Sequence, residues 1–290
     1  MHFDEALCII VPYEQGGSGL RNPPLSGKRL FLLDMDGTIY LDEQLFDGTA
    51  DFLEYVRTIG GKYLFLTNNS SRSVTAYIEK MARLGIKTTP DDFLTSVDAL
   101  TVYLRQHGYV GKRIYAFGTS SFRRQLSDAG FSVTDKRDEN IDALVCGFDT
   151  ELTFQKLEDA CILLNQGVDF IAANPDWVCP TWYGYVPDCG SVCEMLFRAT
   201  GRRPVFIGKP QPEMALLAME KYGCSPAQTL MIGDRIYTDI ACGVRAGIDA
   251  ALVLSGESTL QDIPKYPEKP TYIYENIRAL LNDLTGVVTK

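Results

Sequence analysis

The sequence predicts an α/β protein: a doubly wound parallel sheet with a second, smaller α/β domain inserted into it. Two observations carry that expectation. Short apolar runs alternate with helical segments along nearly the whole chain, the order left by parallel strands and their crossover helices. The runs are also apolar on both faces, as strands covered on each side by helices must be.

The elements follow in order. Residues 1–28 show little periodicity, contain Gly16-Gly-Ser-Gly19 and Pro23-Pro24, and read as an irregular arm. Leu30 to Leu33 is the first buried strand, and it stops at Asp34-Met-Asp36-Gly-Thr38. Asp51 to Ile59 has helical spacing and stops at Gly60-Gly61. Lys62 to Leu66 is the second strand and runs into Thr67-Asn-Asn-Ser-Ser-Arg72. Ser73 is an N-cap for a helix bearing Val74, Tyr77, Ile78, Met81 and Leu84, closed by Gly85. Asp91 to Gln106 reads as one further helix.

From there the alternation continues in a unit of its own. Strands are expected at 112–117, 143–148 and 169–173, with helices at 120–129, 154–165 and 190–200. Between the last of these strands and helices lies a glycine- and aromatic-containing loop, Thr181 to Ser191. The pattern then returns with Pro204 to Ile207, a helix from Glu213 to Tyr222, and strand Thr229 to Ile232 before Gly233-Asp234-Arg235. Helix Asp239 to Ala246, strand Ala250 to Leu254 and a helix from Asn276 to Leu284 complete the chain. The domains expected are a core of residues 29–95 and 205–290, an inserted domain of residues 96–204, and the arm 1–28.

Composition narrows the function. At 290 residues, 46% apolar and 22% charged, the chain is that of an ordinary globular protein. A formal net charge of −9 argues against a nucleic-acid polymer as partner. An acidic chain still acts on anions where its site is locally positive or holds a metal. The N-terminal apolar run Leu7 to Val11 is too short for a signal peptide, and no window approaches the ~20 apolar residues of a membrane span. The eight cysteines are scattered, several inside apolar runs, as reduced buried thiols are; the expected location is cytoplasmic. Cys189 and Cys193 share a helix face, but with His2 and His107 the only histidines a structural zinc site is disfavoured.

Four apolar strands end in polar groups: Asp34 with Asp36, Thr67 with Asn68, Lys209, and Asp234 with Asp239. Ligands of open α/β sheets bind beyond the carboxyl ends of parallel strands, so the clusters are expected at one edge. Alone, Asp-Met-Asp-Gly is also what a solvated turn looks like, and Lys209 a surface lysine. Together they suit phosphoryl transfer. Carboxylate oxygens match Mg²⁺, a lysine meets phosphoryl oxygens, a hydroxyl adds a hydrogen bond, and a carboxylate can itself be the nucleophile.

The ordered set Asp34-Met-Asp36-Gly-Thr, Thr67-Asn-Asn, Gly208-Lys209-Pro and Gly233-Asp234-Arg…Asp239 resembles the four motifs of the haloacid dehalogenase superfamily. With Leu66 to Ser73, Asn174-Pro-Asp176 and Ile207 to Pro210 it is most similar to the NagD-like, 4-nitrophenylphosphatase-type branch, over residues 29–285. The resemblance implies a Rossmann-like core with an α/β cap over residues 96–204. It implies Asp34 as a nucleophile forming an aspartyl-phosphate and Asp36 as the acid/base, which must hold a proton at the first step. Thr67 and Lys209, with Asn68 and Asn69, are expected to hold the phosphoryl group. Asp34, Asp234 and the backbone carbonyl of Asp36 are expected to bind Mg²⁺, with Asp239 in support. Asp36 also sets the chain apart from the superfamily's dehalogenases, which lack this acid, and its ATPases, which have threonine there.

For the cap, Asp176 is the expected substrate contact, and Trp177, Trp182, Tyr183 and Tyr185 either stack on a flat leaving group or pack the cap against the core. Asp188 stands where relatives tend to have glycine. The expected activity is hydrolysis of small phosphomonoesters such as sugar phosphates, nucleotides, pyridoxal phosphate or phosphoglycolate. A phosphotransferase or mutase of the same fold, or a non-catalytic phosphometabolite-binding protein, are the alternatives, and a homodimer is compatible with any of them. A nucleotide-dependent oxidoreductase is disfavoured because no GxGxxG turn follows a strand.

Overall fold

The structure, a computed structural model, describes residues 25–138, 140–181 and 183–287. Most of the expected N-terminal arm therefore lies outside the described residues, as does Trp182. The chain divides into two compact units, residues 1–63 with 219–290 and residues 64–218. No helix among the described residues is long and apolar enough to cross a membrane.

In chain order the first unit opens with β1 (Leu30–Leu33), the small antiparallel pair β2 (Tyr40–Leu41) and β3 (Gln44–Leu45), and α1 (Thr49–Thr58). Strand β4 (Lys62–Thr67) passes from this unit into the next. The second unit continues with α2 (Val74–Arg83), β5 (Phe93–Thr95), α3 (Ser96–Gln106), β6 (Arg113–Phe117), α4 (Ser120–Asp128), β7 (Ser132–Thr134), β8 (Ala143–Cys146), α5 (Phe154–Asn165) and β9 (Asp169–Ala172). Hairpin β10 (Val178–Thr181) and β11 (Gly184–Pro187), α6 (Cys189–Thr200) and β12 (Val205–Phe206) follow, and α7 (Glu213–Tyr222) leads out. The first unit then closes with β13 (Thr229–Gly233), α8 (Ala241–Arg245), β14 (Asp249–Val253), β15 (Tyr272–Tyr274) and α9 (Ile277–Thr285).

Strands β1, β13, β14 and β15 pair in parallel, each with the next. All four residues of β1 are buried, the two-sided burial that its unbroken Leu-Phe-Leu-Leu requires. The register Leu33↔Ile232 is the one that matters for function. It sets Asp34 level with Gly233, one residue before Asp234, and Asp34 N–H donates to Ile232 O at 2.9 Å.

The second unit has a five-stranded parallel sheet in the order β12-β9-β8-β6-β7. Its core joins Phe117, Leu144, Cys146 and Phe170 of the sheet to Ala160 and Leu163 of α5 and Cys189, Val192 and Leu196 of α6. Cys189 and Cys193 do share a helix face, with sulfurs 4.0 Å apart. The seven cysteines from 146 to 242 are all free thiols.

Two expected segments are redrawn, and two short strands come in addition. The segment expected as one helix from Asp91 to Gln106 contains strand β5, which pairs with β4 (Leu66↔Leu94). The helix begins only at Ser96, where Thr95 and Asp98 bond reciprocally across its first turn. The loop expected over 181–191 is largely the β10–β11 hairpin and the start of α6, whose N-cap is Asp188. Short strands β7 and β15 were hidden because three residues carry no readable period.

Residues 25–28, expected as the end of the arm, are instead structural. Lys28 is buried and its ammonium donates to Ala227 O (3.0 Å), Thr229 O (2.9 Å) and the Asp249 carboxylate (2.6 Å). It ties the entry of β1 to the entries of β13 and β14. Removing it strands three acceptors, so Lys28→Ala is expected to lower unfolding stability by about 3 kcal/mol in urea titrations.

Candidate active site

In the first unit, β1 and β13 deliver Asp34 and Asp234 side by side, and Asp239 comes from the turn leading into α8. That turn is a wide helical segment, Ile236–Ile240, starting earlier than the expected helix. Ligand oxygens of Asp34, Asp234 and Asp239 lie within 4.8 Å of one another. Asp234 and Asp239 are buried, while Asp34 keeps partial exposure. Asp36 is turned to a separate contact, accepting from the Tyr40 hydroxyl at 3.2 Å.

Two glycines let this cluster close. A Cβ on Gly233 would stand 2.2 Å from Asp239 Cβ, and one on Gly256 would stand 2.0 Å from Asp234 Oδ2. Gly256 belongs to Ser255-Gly-Glu-Ser258, a loop after β14 whose part in the site the sequence reading missed. Glu257 N–H donates to Asp234 Oδ2 at 2.7 Å and Ser258 N–H to Asp234 O at 3.1 Å. Ser255 Oγ donates to Gly37 O at 2.7 Å, and Ser258 Oγ accepts from Ile236 N–H at 3.2 Å. The signal that could have found this loop was in view. It follows the apolar Ala250 to Leu254 just as the other polar clusters follow their strands.

Burial, and then the charge of Asp239, push the Asp234 carboxyl up to about 6, against the opposing pull of Arg235. The Arg235 guanidinium is itself 2.9 Å from Glu257. Three crowded carboxylates, two of them buried, offer only oxygen donors and fit a hard divalent cation, which would relieve the repulsion that adds to burial in raising Asp234.

In the second unit, Thr67, Asn68 and Lys209 come together, all buried. Asn68 grips the Lys209 backbone from both sides: its Oδ1 accepts from Lys209 N–H at 2.9 Å and its Nδ2 donates to Lys209 O at 2.8 Å. The ammonium of Lys209 donates to Leu66 O at 3.0 Å. The Asn69 side chain turns back on its own loop, accepting from Ser71 N–H (3.0 Å) and Ser71 Oγ (2.7 Å), and its N–H donates to Thr67 Oγ1 at 3.2 Å. Asn68 and Asn69, expected beside the phosphate, thus use their side chains on the loop and on Lys209. Asp176 is buried and shares the Asn174 amide with Asp188, at 2.9 and 3.0 Å. Trp177, Tyr183 and Tyr185 are 57%, 65% and 64% exposed, so none of the three lies in the hydrophobic core of the second unit.

Residues 31–132 match the family model of the haloacid dehalogenase-like hydrolases, and residues 206–280 match a second, HAD-hydrolase-like model. The acid sugar phosphatase of Staphylococcus aureus is 32% identical over 256 residues, covering 88% of this chain and 98% of that protein. The crystal structure of 4-nitrophenylphosphatase from Thermotoga maritima superposes with a TM-score of 0.84 at 37% identity, over 90% of this chain and 98% of that one. Glycerol phosphate phosphatase from Mycobacterium tuberculosis, solved in complex with magnesium, gives 0.83 at 29% identity, over 90% and 78%. The chain therefore belongs to the haloacid dehalogenase-like hydrolases, in the NagD-like phosphatase branch known as subfamily IIA.

A methyl group on Gly256 would press on the Asp234 carboxylate. Adding Mg²⁺ is expected to raise the melting temperature of the wild-type protein and to do so little or not at all in Gly256→Ala or Asp234→Asn. Equal shifts in all three would show that the ion binds elsewhere.

Proposed function

We propose that this chain is a Mg²⁺-dependent phosphatase that hydrolyses small phosphomonoesters through an aspartyl-phosphate on Asp34. The observation that carries the reading is the division of labour among the acids at the end of β1. Asp34 sits in the carboxylate cluster with Asp234 and Asp239, while Asp36, two residues on, has a hydroxyl partner in Tyr40. The first arrangement puts the Asp34 carboxylate where a cation would hold it for attack, and the second sets Asp36 outside that cluster as a separate group for proton transfer.

In the first step an Asp34 carboxylate oxygen attacks phosphorus while the bond to the leaving oxygen breaks, and Asp36 gives that oxygen its proton. In the second, Asp36 takes a proton from water as the water oxygen attacks phosphorus, and the Asp34 carboxylate departs. Thr67 and Lys209 hold the transferring phosphoryl oxygens by a hydroxyl hydrogen bond and a fixed positive charge. Asn68 keeps Lys209 in place through its backbone. Mg²⁺, held by Asp34, Asp234 and the backbone carbonyl of Asp36 with Asp239 in support, would neutralise the phosphoryl charge. Residues 29–95 and 205–290 form the catalytic core, and residues 96–204 form the cap, with Asp176 as its substrate contact. The substrates are small phosphorylated metabolites, in keeping with relatives whose names specify sugar phosphate, glycerol phosphate and nitrophenyl phosphate.

Steady-state assays over a panel of phosphomonoesters with Mg²⁺ test this. Asp34→Asn is expected to abolish turnover, and wild-type turnover in that variant would rule out the covalent route. Asp36→Asn should slow alkyl phosphates far more than 4-nitrophenyl phosphate, whose leaving group needs no proton; an equal loss would remove Asp36 as the acid. Asp176→Ala should change the ranking of substrates more than the Mg²⁺ requirement, and the reverse pattern would take Asp176 away from the substrate.

A further inference from the structure

The second unit has a switch point of its own. From β6 the chain winds to β7 on one side, then returns to place β8, β9 and β12 on the other. Ligands of open α/β sheets lie in the crevice beyond the strands flanking such a reversal. Here those strands are β6 and β8, and the chain fills the position itself. Ser70 and Ser71, from the loop that begins at Thr67, reach the ends of both strands.

Ser70 is fully buried. Its Oγ accepts from Phe148 N–H, two residues past β8, at 2.8 Å, and donates to Asn174 Oδ1, two residues past β9, at 3.4 Å. Thr119 Oγ1, two residues past β6, donates to Ser71 O at 3.1 Å. Gly147 makes room, because a Cβ there would stand 2.9 Å from Ser70 Oγ. On its far side the Asn174 amide donates to the carboxylates of Asp176 and Asp188. On the near side, three residues before Ser70, stands Thr67, followed by Asn68 with its two-point grip on Lys209.

We propose that Ser70 is a positioning residue that makes phosphoryl holding and leaving-group recognition one device. It locks the Thr67 loop to Asn174, and through Asn174 to Asp176 and Asp188. The inference rests on the phosphatase reading for the identity of what is held at each end. A hydroxyl is needed here because Phe148 N–H requires an acceptor and Asn174 Oδ1 a donor, and one serine supplies both. Asp188 belongs to the same device, since its carboxylate takes one hydrogen of the Asn174 amide while capping α6.

The test crosses the two ends, using inorganic phosphate as competitive inhibitor and the ratio of kcat/KM for an alkyl over an aryl phosphate. Ser70→Ala touches no leaving group, yet it is expected to shift that ratio by about fivefold or more, the effect of one net hydrogen bond. Asn174→Ala touches no phosphate ligand, yet it is expected to weaken inorganic phosphate by a similar factor of about five. The double variant should add little to either single one. An unchanged ratio in Ser70→Ala, an unchanged phosphate constant in Asn174→Ala, or full additivity would each overturn the proposal. Should Ser70→Ala fail to fold, the Asn174→Ala phosphate constant decides alone. A wild-type protein without turnover would overturn the phosphatase reading instead, and phosphate binding by calorimetry would still report the coupling in Asn174→Ala.

Discussion

The mutual repulsion of Asp34, Asp234 and Asp239 is the constraint around which the first unit is arranged. Two carboxylates at most 4.8 Å apart, with an effective dielectric near ~20, repel by about 3–4 kcal/mol. Three of them at the end of a buried sheet need help to stay close. The surroundings supply it from backbone groups: the Glu257 N–H meets the Asp234 carboxylate at 2.7 Å, and the Arg235 N–H meets that of Asp239 at 3.1 Å. Glycines at 233 and 256 keep bulk out of the same few ångströms. Such an arrangement stores a preference for a cation in the fold itself, independent of any substrate.

The second unit solves a different problem, that of placing a buried ammonium. Lysine has a long, flexible stem, so holding its charge at one point requires fixing its backbone as well as its tip. Asn68 does the former, because an amide side chain offers the donor and acceptor that a peptide unit needs in reverse order. Leu66 O helps with the latter. Both partners sit on the same chain turn as Thr67, so the hydroxyl and the ammonium share one support.

Much of this was legible before any coordinates. Asp34, Thr67, Lys209 and Asp234 announce themselves because each follows an apolar run, but the single edge expected for all four does not hold: β12, before Lys209, pairs with β9 in the five-stranded sheet, while β1 and β13 pair with each other. Their order then identified the family, which residue spacing alone could not have done. What escaped were features decided by partners distant in sequence. The contacts of Ser255 to Ser258 run to Gly37, Asp234 and Ile236, all far from it in sequence. Strand β5 merged with α3 because its three residues become a strand only by pairing with β4. Lys28 read as arm because its acceptors lie some two hundred positions away. Asn68 and Asn69 were visible as polar groups, but which atoms they address depends on the fold of their own loop.

The thiols of the second unit have a consequence for handling the protein. Cys146, Cys189 and Cys193 are buried in its core, and Cys242 is buried in the other unit. Burial raises Cys146, while for Cys189 the sulfur contact with Cys193 comes first and burial adds to it. A thiol held protonated and out of water does not alkylate. Labelling of these three therefore measures how often the second unit opens, and labelling of Cys242 does so for the first. The native chain thus carries a separate clock for each half, with no probe introduced.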